Sequence, residues 1–599
     1  MERALLRQFW KFLVLCGVIL SVGNPQSAFA LASVAQTVDI CEIQGSGIST
    51  PYYGQSVETT GVVVLDLDTT SFMGFYIQDE NCDTNPATSD GLFVSIGQNT
   101  NVVSLGDKVE VSGDALEDYG LTIVESSPGG VTPLGVQPLP DPVPFSPPAL
   151  AAASKAYFES HEGMRITIAD ATVVGPTNSL QQTFVVDTAL GIGRVFQGPY
   201  TGMIVPVDGD GVFEILPVVK VGDRVTGLVG ALDYSYGQFR FQLTSQPLVI
   251  PLAAAETPAF FNITFATVNL HNLFDTVDDP LTADTVLTPG QYQTKLEKLA
   301  RLISGDLGEP LFMAVQEAEN GGVLQALANR PEISIQYLYE WIDGPDLRGI
   351  DVALLYHMDR VQVLSTEARQ SCTTLIDGLG PDGNQDVLNP QNALTCDIDG
   401  QPGFDGNRLF SRPPLIVHLI ACAADCDQGG ETRDLWVISV HLKSKSEDTD
   451  TIQYTLPRRL EESQILVEIV QEIQAANPAA EIILLGDLND FPGSLPINTI
   501  TASGLVDLAA GLPAPDRYTY NWQGVSQILD HVFVSQTLLD DPDERLTPYS
   551  IHIGADYPYT LDDDPTTSLR ASDHDPLLVY LALNQLFEKI FLPVIHQDP

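Results

Sequence analysis

The pattern of apolar runs changes character near residue 262, and this change constrains the fold more than any other feature. Beyond it, short apolar strands alternate with amphipathic helices. A strand is expected at Thr264–Leu270, then a helix over Gln291–Ser304 with Tyr292, Leu296, Leu299 and Ile303 on one face. Strands follow at Leu311–Gln316, Val352–Tyr356 and Leu435–Val440, then a helix at Arg458–Ala476 and strands at Ile482–Leu485, Ile528–Val534 and Leu577–Leu581. Alternation of this kind predicts an α/β domain over 262–585.

Upstream the chain reads as strands alone. In 38–132, Val57–Leu65 is β-branched and Lys108–Gly113 alternates with period two. Leu105-Gly106-Asp107-Lys108-Val109 is echoed by Val221-Gly222-Asp223-Arg224-Val225 in 152–250. Two similar small five-stranded (OB-like) β-barrels are expected, joined by a proline-rich linker at 133–151. Barrels of this kind hold oligonucleotides or serve as plain scaffold. Tyr52, Tyr53 and Tyr119 are stacking platforms or core. A short tail, 586–599, closes the 599-residue chain.

The first thirty residues read as an export signal: Arg3, Arg7 and Lys11, the apolar run Phe12–Val22, then Ala28-Phe29-Ala30. Downstream of Cys16 in that run there are six cysteines: Cys41, Cys82, Cys372, Cys396, Cys422 and Cys426. An even number in an oxidising compartment implies three disulfides, and nearest-neighbour pairing is the simplest of the fifteen pairings. No pair has the C-x-x-C spacing of a zinc site. The net charge of −50 repels nucleic acid and anionic membranes at long range, although whole-chain charge says little about one cleft. It also suits solubility or salt adaptation of an exported protein.

In the α/β region, polar residues suited to metals or phosphate end one apolar strand after another. Asn269 ends the first, Glu317 follows Phe312–Gln316, and His441 ends Val437–Val440 ahead of Lys443 and Lys445. Asp487 and Asn489 follow Ile482–Gly486, Asp530 and His531 sit in Ile528–Val532, and Asp573, His574 and Asp575 precede Pro576–Val579. Strand ends are where α/β sheets gather their sites. A single aspartate there is ordinary turn chemistry, but six such ends in order, with His and Glu among them, are not. Glu317 and Asp573, with no cysteine, suit a hard cation such as Mg²⁺ or Mn²⁺. Histidine beside aspartate suits proton transfer or phosphate contact.

The ordered set resembles the endonuclease/exonuclease/phosphatase superfamily, the deoxyribonuclease I-like fold. Val315-Gln316-Glu317 resembles its Q-E motif, Gly486-Asp487-Leu488-Asn489 its G-D-x-N motif, and Ser572-Asp573-His574-Asp575-Pro576 its S-D-H-x-P motif. The resemblance implies a four-layer α/β sandwich. It implies that Glu317 and Asp573 bind metal with Asn269 nearby, that Asp487 positions or deprotonates water, and that Asn489 holds phosphate. His574, paired with Asp530, would contact the phosphate or the water, and His441 would stabilise the transition state or protonate the leaving oxygen. His441-Leu442-Lys443-Ser444-Lys445 and Glu42-Ile43-Gln44-Gly45 are similar to the large bacterial extracellular nucleases.

Two departures bear on substrate. Arg348 stands where nucleases of the family often carry a phosphate-contacting tyrosine, and either replaces that contact or forms a surface ion pair. Val440 replaces an asparagine common before the histidine. Asp382, Asn384 and Asp386 alternate as in Ca²⁺ loops but lack the distal glutamate. A solvent loop closed by Cys372 and Cys396 is the preferred reading, with Ca²⁺ the alternative. The expectation is a secreted, metal-dependent nuclease acting on DNA, and RNA as an alternative. A phosphatase or lipid phosphodiesterase on the same fold, and a catalytically dead nucleic-acid-binding protein, remain open beside it.

Overall fold

The computed structural model describes residues 35–79, 82–213, 215–253, 264–374, 395–397, 406–429, 431–449, 452–540 and 546–581. The expected export signal, the loop with Asp382, Asn384 and Asp386, and the tail 586–599 lie outside these. The chain divides into two compact units, Met1–Leu252 and Ala253–Pro599.

The first unit holds two closed barrels built to one plan. Strands β1 (Ser56–Leu67), β2 (Gly74–Gln78), β3 (Gly91–Ser95), β4 (Asp107–Asp118) and β5 (Leu121–Glu125) pair in the order β1-β2-β3-β5-β4, and β4 returns to β1. Strands β6 (Arg165–Gly175), β7 (Thr183–Asp187), β8 (Val205–Asp208), β9 (Arg224–Ser235) and β10 (Gln238–Leu243) repeat that order, with β9 returning to β6. In each, the third and fifth strands run parallel. The period-two alternation directs Val57, Val63, Phe75, Ile77, Val109 and Val111 into one barrel, and Ile166, Ile168, Val185, Val225 and Phe241 into the other. Val131–Val136 and Val143–Pro144, in the proline-rich stretch, pair as outer strands with β4 and β6. At a sheet margin proline's missing N–H removes no ladder bond.

The second unit is a four-layer sandwich. One sheet orders its strands β13 (Tyr337–Trp341), β14 (Asp351–His357), β12 (Phe312–Ala318), β11 (Thr264–Leu273), β21 (Leu577–Leu581) and β20 (Leu546–Ser550). The other orders β15 (Val361–Ala368), β16 (Leu415–Cys422), β17 (Thr432–His441), β18 (Glu481–Asp487) and β19 (Asp530–Val534), then the short strand Val506–Asp507. Side chains alternate across each sheet. Phe265, Phe312 and Ala314 point between the sheets with Leu415, Val437, Ile483 and Val532. Ala266, Met313 and Val315 point outward against Leu296 and Leu299 of helix α1 (Pro289–Arg301) and Ile303 of the helical turn that follows it. Ile482, Leu484 and Phe533 pack on helix α2 (Leu456–Ala476) through Leu466, Ile469 and Ile473. Disulfides join Cys41 to Cys82, Cys372 to Cys396 and Cys422 to Cys426, the nearest-neighbour pattern.

Several carboxyls are folded into places that favour their neutral form. Burial pushes Asp66 and Asp90 up to about 6, and Asp351 and Glu462 up to about 7. A raised acid stabilises the fold below its unfolded value and loses that contribution as pH rises through the folded one. Buried His441 works in the opposite sense below its ordinary value, but the raised carboxyls outnumber the lowered histidines. Scanning fluorimetry should therefore give a melting temperature about 5 °C lower at pH 8 than at pH 6. An Asp351→Asn, Glu462→Gln double variant should show a smaller difference.

Candidate active site

Strand direction alone collects the expected residues. β11 and β12 run parallel, so Asn269 and Glu317 emerge at the same end of the first sheet. β21 is antiparallel to β11, so its entry, with Asp573 and His574 just ahead of it, lies at that end too. The second sheet repeats this arrangement. β17 and β18 are parallel with His441 opposite Asp487, and antiparallel β19 begins with Asp530 opposite Asp487.

Local irregularities aim these side chains. The β11–β12 and β12–β14 ladders shift register beside Glu317, and Glu317 takes φ 64°. Such a bulge turns a side chain out of the alternation. His271, Asn272 and Asn489 also have positive φ, at 51°, 55° and 52°. Strain of this kind in non-glycine residues gathers at functional sites. Gly486, at φ 148°, is required by packing, since a Cβ there would lie 1.9 Å from the Val440 carbonyl oxygen.

At the centre is the buried Asp487 carboxylate. Asn269 Nδ2 donates to its Oδ2 at 3.2 Å, and the Asn489 N–H donates to its Oδ1 at 2.9 Å. His441 Nε2 stands 3.5 Å and His574 Nε2 3.9 Å from Oδ2. His574 Nδ1 is 2.7 Å from Asp530 Oδ2. Glu317 Oε2 accepts from the Asn272 N–H at 2.8 Å, and its Oε1 lies 4.0 Å from His441 Nε2. Asn489 Nδ2 donates to the Leu442 carbonyl at 3.1 Å.

The electrostatics set the two histidines apart. Burial, then the charges of Arg412 and Arg348, hold His441 well below its ordinary value. Burial acts the same way on His574, but Asp530, by its charge and hydrogen bond, together with the charges of Asp487 and Asp573, outweighs it and holds His574 well above. Burial pushes Asp487 up to about 7. Burial also opposes ionisation of Asp573, but nearby His271, His574, Arg570 and Lys295 hold it well below the usual carboxylate range.

Arg348, Lys443 and Lys445 fare differently from one another. Arg348 is 48% exposed, with Nε 3.8 Å from Asp346. Lys443 is half-buried and lies close enough to Arg348 and Arg412 for their charges to lower it, after burial. Lys445 is engaged structurally, 3.2 Å from Asp490 and over the Phe491 ring. His531 also stands apart from the cleft chemistry. It is fully buried, 2.9 Å from Asp507 and 3.0 Å from the Asp490 carbonyl.

Several contributors carried no sequence signal. Arg412 is buried, bonds Asp346 at 2.7 Å, and donates to the His441 and Leu442 carbonyls, fixing the strand end that bears His441. Lys298 donates to three backbone carbonyls, of Asp564, Thr567 and Leu569, and Lys295 to that of Ala571. Helix α1 thereby holds the loop that delivers Asp573. Asp575 Oδ1 accepts from the N–H groups of Ile553, Gly554 and Ala555, anchoring the other side of that segment. His271 Nδ1 lies 3.8 Å from Asp573, and the Tyr520 ring packs 4.8 Å from the His574 ring.

The donor set suits a hard cation. Glu317 and Asp573 present carboxylate oxygens, and the charges of both bear on His271, Lys295 and Tyr520, which places them in one neighbourhood. Ligand atoms of Asp487, Asp530 and His574 also lie within 4.8 Å of one another. The Nδ1–Asp530 hydrogen bond at 2.7 Å accounts for the closeness of His574 and Asp530, while His574 Nε2 stands 3.9 Å from Asp487, so Glu317 and Asp573 would be the better metal pair.

Residues 264–379 match the Endonuclease/Exonuclease/phosphatase family. The resemblance seen in the motifs is thus matched independently over that segment. Residues 148–253 match a domain of unknown function. No curated relative matches the chain. Among solved structures, the endonuclease/exonuclease/phosphatase from Bacteroides vulgatus is 16% identical, covering 54% of this chain and 100% of its own at TM-score 0.31. The human Nocturnin catalytic domain with bound sulfate is 15% identical, covering 54% and 94% at 0.33. The mannosyl-6-phosphatase of Bacteroides thetaiotaomicron is 16% identical, covering 54% and 100% at 0.31.

Gly486→Ala tests whether the close β17–β18 approach builds the site. The added methyl has nowhere to go, so the variant should lose at least about 3 kcal/mol in denaturant unfolding, or fail to accumulate as soluble protein.

Proposed function

We propose that this chain is an exported, divalent-metal-dependent phosphodiesterase acting on nucleic acid, with DNA as the first substrate. The observation that carries the reading is the convergence of oxygen donors and two histidines about Asp487, from the facing ends of two sheets. Glu317 and Asp573 would hold Mg²⁺ or Mn²⁺, with Asn269 beside them. When bound, the metal polarises a phosphoryl oxygen and offsets charge in the transition state. Asp487 orients or deprotonates the attacking water. Asn489 holds the phosphate. His574, oriented by Asp530, contacts the scissile phosphate, and His441 faces the leaving oxygen. Arg348 and Lys443 supply positive charge at the mouth. The export signal and three disulfides support an extracellular setting, and no described helix is long and apolar enough to cross a membrane.

The two five-stranded barrels support a module that would hold an oligonucleotide or oligosaccharide, as OB-type barrels do. A second reading, hydrolysis of a phosphomonoester or phospholipid, is favoured by the net charge of −50 and by arginine at position 348.

Purified mature chain should nick plasmid DNA with Mg²⁺ or Mn²⁺. Chelator should abolish the activity, and His574→Ala should lower it by about 10²–10³-fold. Intact plasmid beside a cleaved phosphomonoester or phospholipid would select the second reading. If no ester is cleaved, the catalytic reading fails.

A further inference from the structure

The two barrels share a feature that phosphodiester chemistry does not use. Hairpin β4–β5 turns through Tyr119-Gly120, and hairpin β9–β10 through Tyr236-Gly237, with Asp118 opposite Leu121 and Ser235 opposite Gln238. Both central residues of each turn have positive φ: 54° and 102° in the first, 55° and 80° in the second. That is the I′ pattern, in which asparagine or glycine is the favoured first residue. A bulky L-residue there costs conformational energy. Yet each barrel places a tyrosine at this point, 88% exposed at Tyr119 and 68% at Tyr236. Neither ring is buried, so burial does not explain the repetition.

The two turns belong to one surface. A Cβ on Gly120 would lie 3.2 Å from the Tyr234 ring, two residues before Tyr236. Tyr234 meets Phe239 edge-on at 4.8 Å. Tyr236 is fixed in place, since Arg240 sits 5.0 Å over its ring. Arg240 itself is buried and neutralised by Asp208 at 2.6 Å and Asp233 at 3.2 Å. The neighbouring side chains are acidic: exposed Asp118 flanks Tyr119, and half-buried Glu159 lies near Tyr234. Across residues 35–252, acidic residues outnumber basic ones by more than three to one.

We infer that the Tyr119 and Tyr236 turns form a docking platform for a neutral polysaccharide. Exposed, preset aromatic faces stack on the apolar C–H face of a pyranose ring, and surrounding carboxylates accept hydroxyl hydrogen bonds. A polyanion would meet the same carboxylates as repulsion, and Arg240 beside Tyr236 is already paired to Asp208 and Asp233. The platform would hold the chain on a glycan matrix, independently of the hydrolytic site.

The test is binding of the full mature chain to cellulose, chitin and soluble starch. Oligothymidine and heparin serve as polyanion probes, and sedimentation reports self-association. Tyr119→Asn and Tyr236→Asn place the turn's preferred residue, so Tyr119→Asn should raise the melting temperature by about 2 °C and the double variant should fold. Expected are binding to at least one neutral glycan, at least tenfold weaker binding by the double variant, and unchanged ester hydrolysis. Failure to bind any of the three glycans, or equal binding by the variant, would overturn the inference. So would oligothymidine binding or self-association that only the variant loses. The glycan-binding readouts do not depend on hydrolysis, so they stand apart from the catalytic reading.

Discussion

The Asp487 carboxylate, buried between the ends of two sheets, is the interaction around which the second unit is organised. It accepts from Asn269 of one sheet at 3.2 Å and from the Asn489 backbone of its own at 2.9 Å, with His441 and His574 on either side. A buried carboxylate without partners is costly. The partners come from four separate strand ends, so the site forms only when both sheets are complete and in register. Sliding either central parallel pair by one residue would turn the ending side chain to the other face.

The rest of the unit keeps those ends in place. Alternating apolar residues close the space between the sheets, and α1 and α2 cover the outer faces. Polar clamps then fix the loops: Lys298 on three carbonyls near Asp573, Arg412 on the carbonyls at His441, and Arg459 on Asp490 at 2.9 Å beyond the Gly486–Asn489 turn. These cations are buried and bound to backbone or carboxylate oxygen. Three of the chain's 28 lysines and arginines are thereby engaged in holding the site's frame.

The sequence made the strand ends legible because apolar runs and terminal polar residues are local signals. Asn269, Glu317, His441, Asp487, Asn489, Asp530, Asp573 and His574 were all readable one strand at a time. Their pairing was not: that Asp530 meets His574, 44 residues later, depends on β19 and β21 both entering at the cleft. The contributors with no local signal were those acting through tertiary contact, namely Arg412, Lys298, His271 and Tyr520. Strand β16 (Leu415–Cys422), apolar apart from His418, gives no alternation to read, because residues on both of its faces are largely buried. The tyrosines of the barrel turns were visible, but their positive φ was not, since tyrosine gives no cue for an I′ turn.

The central claim is that the facing sheet ends assemble one metal-holding carboxylate pair beside Asp487. Calorimetric titration of Mn²⁺ into the mature chain, at one fixed pH, tests it most directly. The account predicts one binding event in the wild type, lost or weakened at least tenfold in Glu317→Gln and in Asp573→Asn, and retained in His441→Ala. Equal Mn²⁺ binding by the carboxylate variants, with folding intact, would contradict it.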